Sequence, residues 1–295
     1  MDIRHTPEEA GRLIRRCEKQ FEDSLSTLVE IILQKPENRI ITISGPTCSG
    51  KTTASAYLCR EIVRNGRTAM LFSFDDFFLD RPEEKHLHCS PPDYDTVQAL
   101  DLEALASVMN GLRKNDPVSV PVYDFTAGKR IGYRRHTPVK DEIRIWEGIQ
   151  AVYPEVLSMM GSGHTDIFFH VEPPEHFPLT GPELRLCRRI VRDVRCRSAS
   201  PEFTLFLWQN VRENELRNIY PNLTETCRIL NTYMAYEPYI LAETVIPLLQ
   251  RIPESSPYGE AAERYCSILS RYRAPAFDPA AIPAESLYRD FIGQN

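Results

Sequence analysis

Fifteen residues beginning at Arg39, R-I-I-T-I-S-G-P-T-C-S-G-K-T-T, limit what this chain can fold into more than any other stretch. The apolar, β-branched run over residues 40–43 reads as a strand and stops at Gly45. Gly50, Lys51 and Thr52 complete the spacing G-x-x-x-x-G-K-T, and residues 54–65 read as a helix. Strand, glycine-rich loop and helix in that order form the P-loop signature in its required context. The glycines let main-chain N–H groups turn inward toward phosphate oxygens, and the helix adds its positive end. Gly45, Pro46, Thr47, Cys48, Ser49, Gly50, Lys51, Thr52 and Thr53 are therefore the candidate triphosphate-binding residues. Lys51 is expected on the β- and γ-phosphates and the Thr52 hydroxyl on Mg²⁺. Cys48 reads as a small residue that fits the loop.

At 295 residues, 42% of them hydrophobic and 26% charged, the chain is long enough for a substantial core. Net charge is −6 and no basic stripe appears, which argues against nucleic acid as a partner. The first 35 residues are charged throughout, and no apolar run approaches a membrane span. A cytoplasmic location with no membrane partner is the expectation. Eight cysteines are scattered with no C-x-x-C pair and read as free thiols. The cluster His86, His88 and Cys89 lacks a second ligand pair at zinc spacing and reads as a polar loop.

Thr6-Pro7-Glu8-Glu9 is a helix start, and apolar positions at helical spacing follow from Leu13 to Ile32. One helix or two are open here; a brace for the core is favoured over a self-association surface. After the P-loop helix, Asn65-Gly66 ends the segment, and residues 68–74 read as a buried strand running into Asp75-Asp76. Carboxylates at the carboxyl end of a strand face the ligand crevice of an α/β sheet. Asp75 can there accept the proton of an attacking hydroxyl. Residues 81–92 read as a loop over the site. A helix is expected to start at Asp93-Tyr94-Asp95-Thr96, with Asp95 as its N-cap in one reading, and to end at Asn110-Gly111. Residues 118–125 are extended and lead into a turn at Gly128-Lys129-Arg130. Residues 143–146 are a strand ended by Glu147, spaced where P-loop enzymes keep a second carboxylate on the Mg²⁺ side. Residues 166–171 are another strand.

Residues 184–197 carry six arginines, of which Arg185, Arg188, Arg189 and Arg192 share one broad helical face. Guanidinium forks suit phosphate oxygens, so this helix reads as a phosphate-closing lid. Residues 208–251 read as helical, and 260–272 as a further helix. The fold class is α/β: a P-loop NTPase fold with a mainly parallel sheet covered by helices on both faces and helical additions at both ends. The expected division is an N-terminal helical extension over 1–38, a P-loop kinase domain with its Arg-rich lid over 39–250, and a helical extension over 251–295 packed on the same domain.

G-P-T-C-S-G-K-T-T, F-D-D-F-F, Y-D-T-V-Q-A-L-D, P-V-Y-D-F, E-G-I and R-x-x-R-R-x-x-R-D stand in order between Gly45 and Asp193. Together they resemble the uridine kinase and phosphoribulokinase family, in particular its uridine/cytidine kinase branch. That resemblance implies Asp75 as catalytic base, Asp95 on the ribose hydroxyls, Tyr123 against the nucleobase and Glu147 on the magnesium side. It implies Arg189, Arg192 and Arg197 as lid residues on the transferred phosphate and the nucleotide. Two positions depart from the branch: Gly128 stands where a base-reading His is expected, and Ala199 where a further lid arginine is expected. The implied reaction is transfer of the γ-phosphate of ATP or GTP, with Mg²⁺, to the 5′-hydroxyl of uridine or cytidine. Another small alcohol on the same scaffold is the first alternative, and a nucleotide-sensing protein without catalysis the second. The implied partner is a small-molecule acceptor, and homo-oligomer formation is left open.

Overall fold

The computed structural model describes residues 5–35, 37–81, 95–161 and 163–293. Helix α1 (Pro7–Leu33) precedes strand β1 (Ile40–Ser44) and helix α2 (Lys51–Arg64), and β2 (Ala69–Ser73) follows. Next come α3 (Leu102–Lys114), β3 (Val118–Asp124), β4 (Lys129–His136), β5 (Ile143–Glu147), α4 (Pro154–Met160) and β6 (His164–His170). Helices α5 (Gly181–Cys196) and α6 (Pro201–Asn214), strand β7 (Arg228–Asn231), and helices α7 (Glu237–Leu249), α8 (Gly259–Ser270) and α9 (Arg289–Ile292) complete the order.

The central sheet is parallel throughout, in the order β2-β5-β1-β6-β7. Its strands are apolar on both faces because helices cover both. Ile41, Ile43, Ile145 and Phe169 meet Leu25, Val29 and Ile32 of α1 and Leu58 and Ile62 of α2. Phe72, Trp146 and Phe168 meet Leu105, Val108 and Leu112 of α3 and Val156 of α4 on the opposite face. A third apolar cluster joins the start of α1 to α5, α7, α8 and α9 beside the loop that follows β1. The α/β architecture expected from the alternation of strands and helices is therefore the one observed.

Helix α1 is a single helix of 27 residues, capped as its sequence predicts: Thr6 and Glu9 form a capping box. Several local readings differ from the structure. The helix expected to open at 93–96 begins at Leu102, with Asp101 as the N-cap that accepts from the Ala104 amide at 2.9 Å. Asp95 is not its cap. Residues 97–99 form a separate 3-10 turn, and Asp101 is held by its own N–H on the Phe77 carbonyl (2.8 Å). Asp93 and Tyr94, like His86, His88 and Cys89, lie outside the described residues. Nor does Gly111 end α3. A β-carbon there would lie 2.5 Å from Val118 Cγ1, so the glycine lets the helix pack closely on β3, and the helix runs on to Lys114 with Asn115 left-handed.

The 208–251 stretch is not helical throughout. Residues 228–231 form β7, which pairs with β6 as the sheet's last strand. Four residues on an edge, three of them exposed, carry too little apolar pattern to be read as a strand. Residues 129 and 130, expected in a turn, belong to β4, which pairs antiparallel with β3 as a hairpin beside the sheet.

Candidate active site

Parallel register brings the chemistry to one edge. Ile43 and Ser73 both pair with Glu147, so the carboxyl ends of β1, β5 and β2 are level. The phosphate loop leaves β1 there, the Asp75 turn leaves β2, and Glu147 closes β5. All three line a cavity of about 1030 Å³.

The loop is shaped by backbone crowding. Gly45 has φ +146°, and a β-carbon on it would overlap the Phe169 carbonyl oxygen. Gly50 is left-handed (φ +86°) at the helix start, as is the non-glycine Cys48 (φ 57°). Lys51 is buried and donates from Nζ to the carbonyls of Gly45 (2.9 Å) and Pro46 (3.1 Å). That uses two of an ammonium's three donors. Thr47, Cys48, Gly50, Lys51 and Thr52 line the cavity, whereas Gly45, Pro46, Ser49 and Thr53 stand behind them. Ser49 Oγ is buried with no hydrogen-bond partner among the described residues.

Asp75 sits in a 3-10 turn, Phe74–Phe77, capped by Ser73. The Ser73 hydroxyl accepts from the Asp75 amide (3.3 Å) and donates to Glu147 Oε1 (2.7 Å), linking the ends of β2 and β5. Burial pushes the Glu147 carboxyl well above the usual carboxylate range and nearby Asp75 adds to this, while Ser73 and Lys51 act against it. Burial likewise lowers Lys51, which Glu147 and Asp75 oppose. Two carboxylates sharing a buried corner with an exposed Thr52 hydroxyl at its mouth form an oxygen donor set suited to Mg²⁺. No group of three or more acidic, His or Cys side chains arranged for a metal occurs among the described residues.

The arginine helix α5 departs from the expected lid. Arg185 and Arg188 are 1% and 0% exposed and point away from the cavity into the protein. Arg185 pairs with Glu215 through two bonds of 2.6 and 2.8 Å and donates to the Thr47 carbonyl at 3.0 Å. Arg188 pairs with Glu237 (2.6 and 2.8 Å) and donates to the Cys48 carbonyl at 3.1 Å. Both grip the outer side of the phosphate loop, so the first turns of α5 are a fixed anchor. The broad arginine face therefore divides: of the six arginines in 184–197, Arg189, Arg192 and Arg197 line the cavity, alongside Arg81 and Arg134 from elsewhere in the chain. The first three gather on Asp193, at 3.1 Å from Arg189, 2.7 Å from Arg192 and 3.9 Å from Arg197. Burial alone would raise Asp193, yet Arg192, Arg189 and Arg197 hold it at about 2. Burial and Arg192 lower Arg197 to about 10, which leaves it cationic at neutral pH.

Across the cavity lie Asp95 and Tyr123. The Asp95 carbonyl accepts from Tyr153 Oη at 2.6 Å, and Asn214 donates to that same hydroxyl at 2.8 Å. Tyr123 packs edge-on to Phe125 (5.3 Å) and tilted against Phe78 (5.7 Å). Gly128 closes the hairpin at φ +65°, its N–H on the Asp124 carbonyl at 2.7 Å, while the Asp124 carboxylate accepts from the Thr126 and Ala127 amides. A β-carbon there would meet Arg81 Cδ at 3.0 Å. Turn geometry and Arg81 thus occupy the place where the resemblance sets a histidine. Ala199 lines the cavity and adds no charge.

Sequence reasoning assigned no role to Ser73, Tyr153, Asp193 or Asp290, the last of which also lines the cavity. Asp193 was signalled by its arginine neighbours, Ser73 by its place ahead of the Asp pair and Asp290 by the S-L-Y-R-D-F-I-G ending; Tyr153 carries no local signal.

A phosphate cradle at the carboxyl edge of a parallel sheet, covered by helices on both faces, defines a P-loop kinase fold. A family model described as Phosphoribulokinase / Uridine kinase family matches residues 40–234, and the chain belongs to that family of ATP-dependent kinases. Uridine-cytidine kinase C of Dictyostelium discoideum is 24% identical over 233 residues, 78% of this chain and 43% of that protein. The uridine kinase of Lactobacillus helveticus is 32% identical over 171 residues, 57% of this chain and 72% of that protein. Among solved structures, a putative fructose transport system kinase from Silicibacter sp. TM1040 shares the fold, with TM-score 0.52 at 19% identity over 69% of this chain and 98% of that one. Among the described residues no helix is long and apolar enough to cross a membrane.

Proposed function

We propose that the chain transfers the γ-phosphate of ATP or GTP to the 5′-hydroxyl of uridine or cytidine. The observation that carries this reading is the meeting of Lys51, Asp75 and Glu147 with Arg189, Arg192 and Arg197 around one cavity whose far wall holds Asp95 and Tyr123. Loop amides and Lys51 bind the triphosphate. Thr52 and Glu147 would hold Mg²⁺, which when bound neutralises charge on the phosphates. Asp75 accepts the proton of the attacking hydroxyl, and the three arginines offset charge on the group in transit. Asp95 accepts from the ribose hydroxyls, and the Tyr123 ring lies against the base. The match to a named uridine kinase at 32% identity supports the acceptor class.

Gly128 favours a second reading, in which the same machinery acts on another small alcohol: a different nucleoside, a sugar or a sugar phosphate. Without an imidazole at 128, the pyrimidine edge loses a donor, and selectivity falls more than rate does. Labelled ATP offered with a panel of nucleosides, sugars and sugar phosphates separates the two. Label on uridine or cytidine supports the first reading; label only on other alcohols replaces it with the second. A protein that binds ATP and labels no acceptor is a nucleotide sensor.

A further inference from the structure

Asp95 reaches the cavity from a segment that is tied on two sides. Downstream, the Leu79 amide donates to the Ala99 carbonyl and the Asp101 amide to the Phe77 carbonyl, each at 2.8 Å. Those bonds join residues 95–101 to the turn that carries Asp75. At Asp95 itself the main-chain carbonyl accepts from Tyr153 Oη at 2.6 Å, and Tyr153 Oη accepts from Asn214 Nδ2 at 2.8 Å.

The direction of these bonds has one solution. A carbonyl oxygen only accepts, so the Tyr153 proton points at Asp95, and Asn214 must turn its NH₂ toward the hydroxyl. Asn214 Oδ1 accepts in turn from Asn218 Nδ2 at 2.6 Å, and the Asn218 carbonyl accepts from Asn222 Nδ2 at 2.9 Å. Tyr153 is 2% exposed and Asn214 3%, so these bonds form where electrostatic contacts are strong and a lost partner is costly.

Both supports are themselves fixed. The Tyr153 amide donates to the Gln150 carbonyl at 3.0 Å, its carbonyl accepts from the Leu157 amide at 2.9 Å, and its ring packs in the cluster that holds Val156 and Ile219. Asn214 ends α6, where the chain widens into one turn of π-helix, Glu215–Ile219. Such wide turns are rare and recur at functional sites. Here two chain neighbours reach different walls of the cavity. Glu215 holds Arg185, which donates to the Thr47 carbonyl of the phosphate loop, while Asn214 holds Tyr153. Neither Tyr153 nor Asn214 lines the cavity, so an effect of either on the acceptor runs through Asp95.

We propose that Tyr153, braced by Asn214, is a positioning residue for the acceptor, fixing the Asp95 main chain so that its carboxylate meets the acceptor's hydroxyls. This rests on the reading of Asp95 as the acceptor-binding carboxylate.

The full chain is assayed with Mg²⁺, ATP and uridine. Tyr153→Phe keeps the ring in its cluster and removes only the hydroxyl. It lowers kcat/KM for uridine about tenfold, the scale of one hydrogen bond, while the KM for ATP stays within about twofold. In an Asp95→Ala background the same substitution has no further effect on kcat/KM for uridine, because no carboxylate remains to be placed. A purely structural role would instead disturb ATP and uridine alike and add in full to the loss from Asp95→Ala. Either of those patterns overturns the proposal, and so does a Tyr153→Phe protein with the wild-type kcat/KM for uridine. Asn214→Asp decides the matter if Tyr153→Phe does not fold. Its carboxylate has no proton to give and draws the Tyr153 proton to itself, so the same loss toward uridine is expected; unchanged uridine kinetics overturn the proposal. A wild type that transfers no phosphate to uridine overturns the proposed acceptor and this inference together. Uridine turnover that is normal in both the wild type and Tyr153→Phe overturns this inference alone.

Discussion

The two halves of the cavity are held in different ways. On the phosphate side every turn of the loop is tied from behind: Thr47 and Cys48 by buried arginines, Lys51 to the loop's own carbonyls, and Gly45 against Phe169. The acceptor side rests on the β3–β4 hairpin, whose outer strand alternates exposed and half-buried residues, with Ile131 and Tyr133 59% and 61% exposed. A change in the first half disturbs a buried network, while a change on the hairpin's outer strand is met mostly by solvent. On the proposed function, phosphoryl transfer would sit on the tied, buried part and acceptor choice on the more exposed hairpin, where change costs the fold less.

Substitutions test that contrast. The largest effect is expected at Asp75, where the two halves meet. Asp75→Asn lowers turnover about 10²–10⁴-fold, the usual contribution of a general base, in steady-state assays with the identified acceptor. A wild-type rate would remove Asp75 from the chemistry.

Behind the loop, Arg188→Ala leaves Glu237 buried without its partner, which costs about 3–5 kcal/mol in urea unfolding. A loss under about 1 kcal/mol would contradict the tied-loop description.

Asp193 gives the phosphate side a pH signature. Its folded-state pKa is depressed from 3.8 to about 2, so its carboxylate stabilises the fold above pH 3.8 and loses that effect as pH falls through about 2. Asp193→Asn should cost on the order of 2 kcal/mol at pH 7, and the gap to wild type should narrow below pH 4. An equal gap at all pH values in thermal melts would assign the loss to packing.

Smaller effects belong to the hairpin. Tyr123→Ala should raise the acceptor KM on the order of tenfold while the ATP KM stays within twofold. Equal rises in both would blur the boundary between the halves. Gly128→Ala should cost about 1 kcal/mol of stability, because a side chain at φ +65° is strained. A neutral result by denaturant titration would show that the turn does not require glycine.

Much of this molecule is legible in local order. The loop, its flanking strand and helix, the Asp75 turn and the Glu147 strand end are contiguous patterns, because the backbone that binds phosphate must be built within a few residues. The capping box of α1 is legible for the same reason. The edge strand β7 is not, because a four-residue strand acquires its identity from β6 beside it. Nor is the start of α3, where pairing of residues near 78 and 100 overrides the local helix signal.

What sequence alone determined is the kind of cradle and the residue types available to it. Tertiary structure decided which arginines face the cavity: Arg185 and Arg188 share a helix with Arg189 and Arg192, yet Glu215 and Glu237 draw the first two inward. A guanidinium's role is set by the nearest buried carboxylate, and these carboxylates arrive from 30 and 49 residues away. Periodicity along one helix carries no record of them.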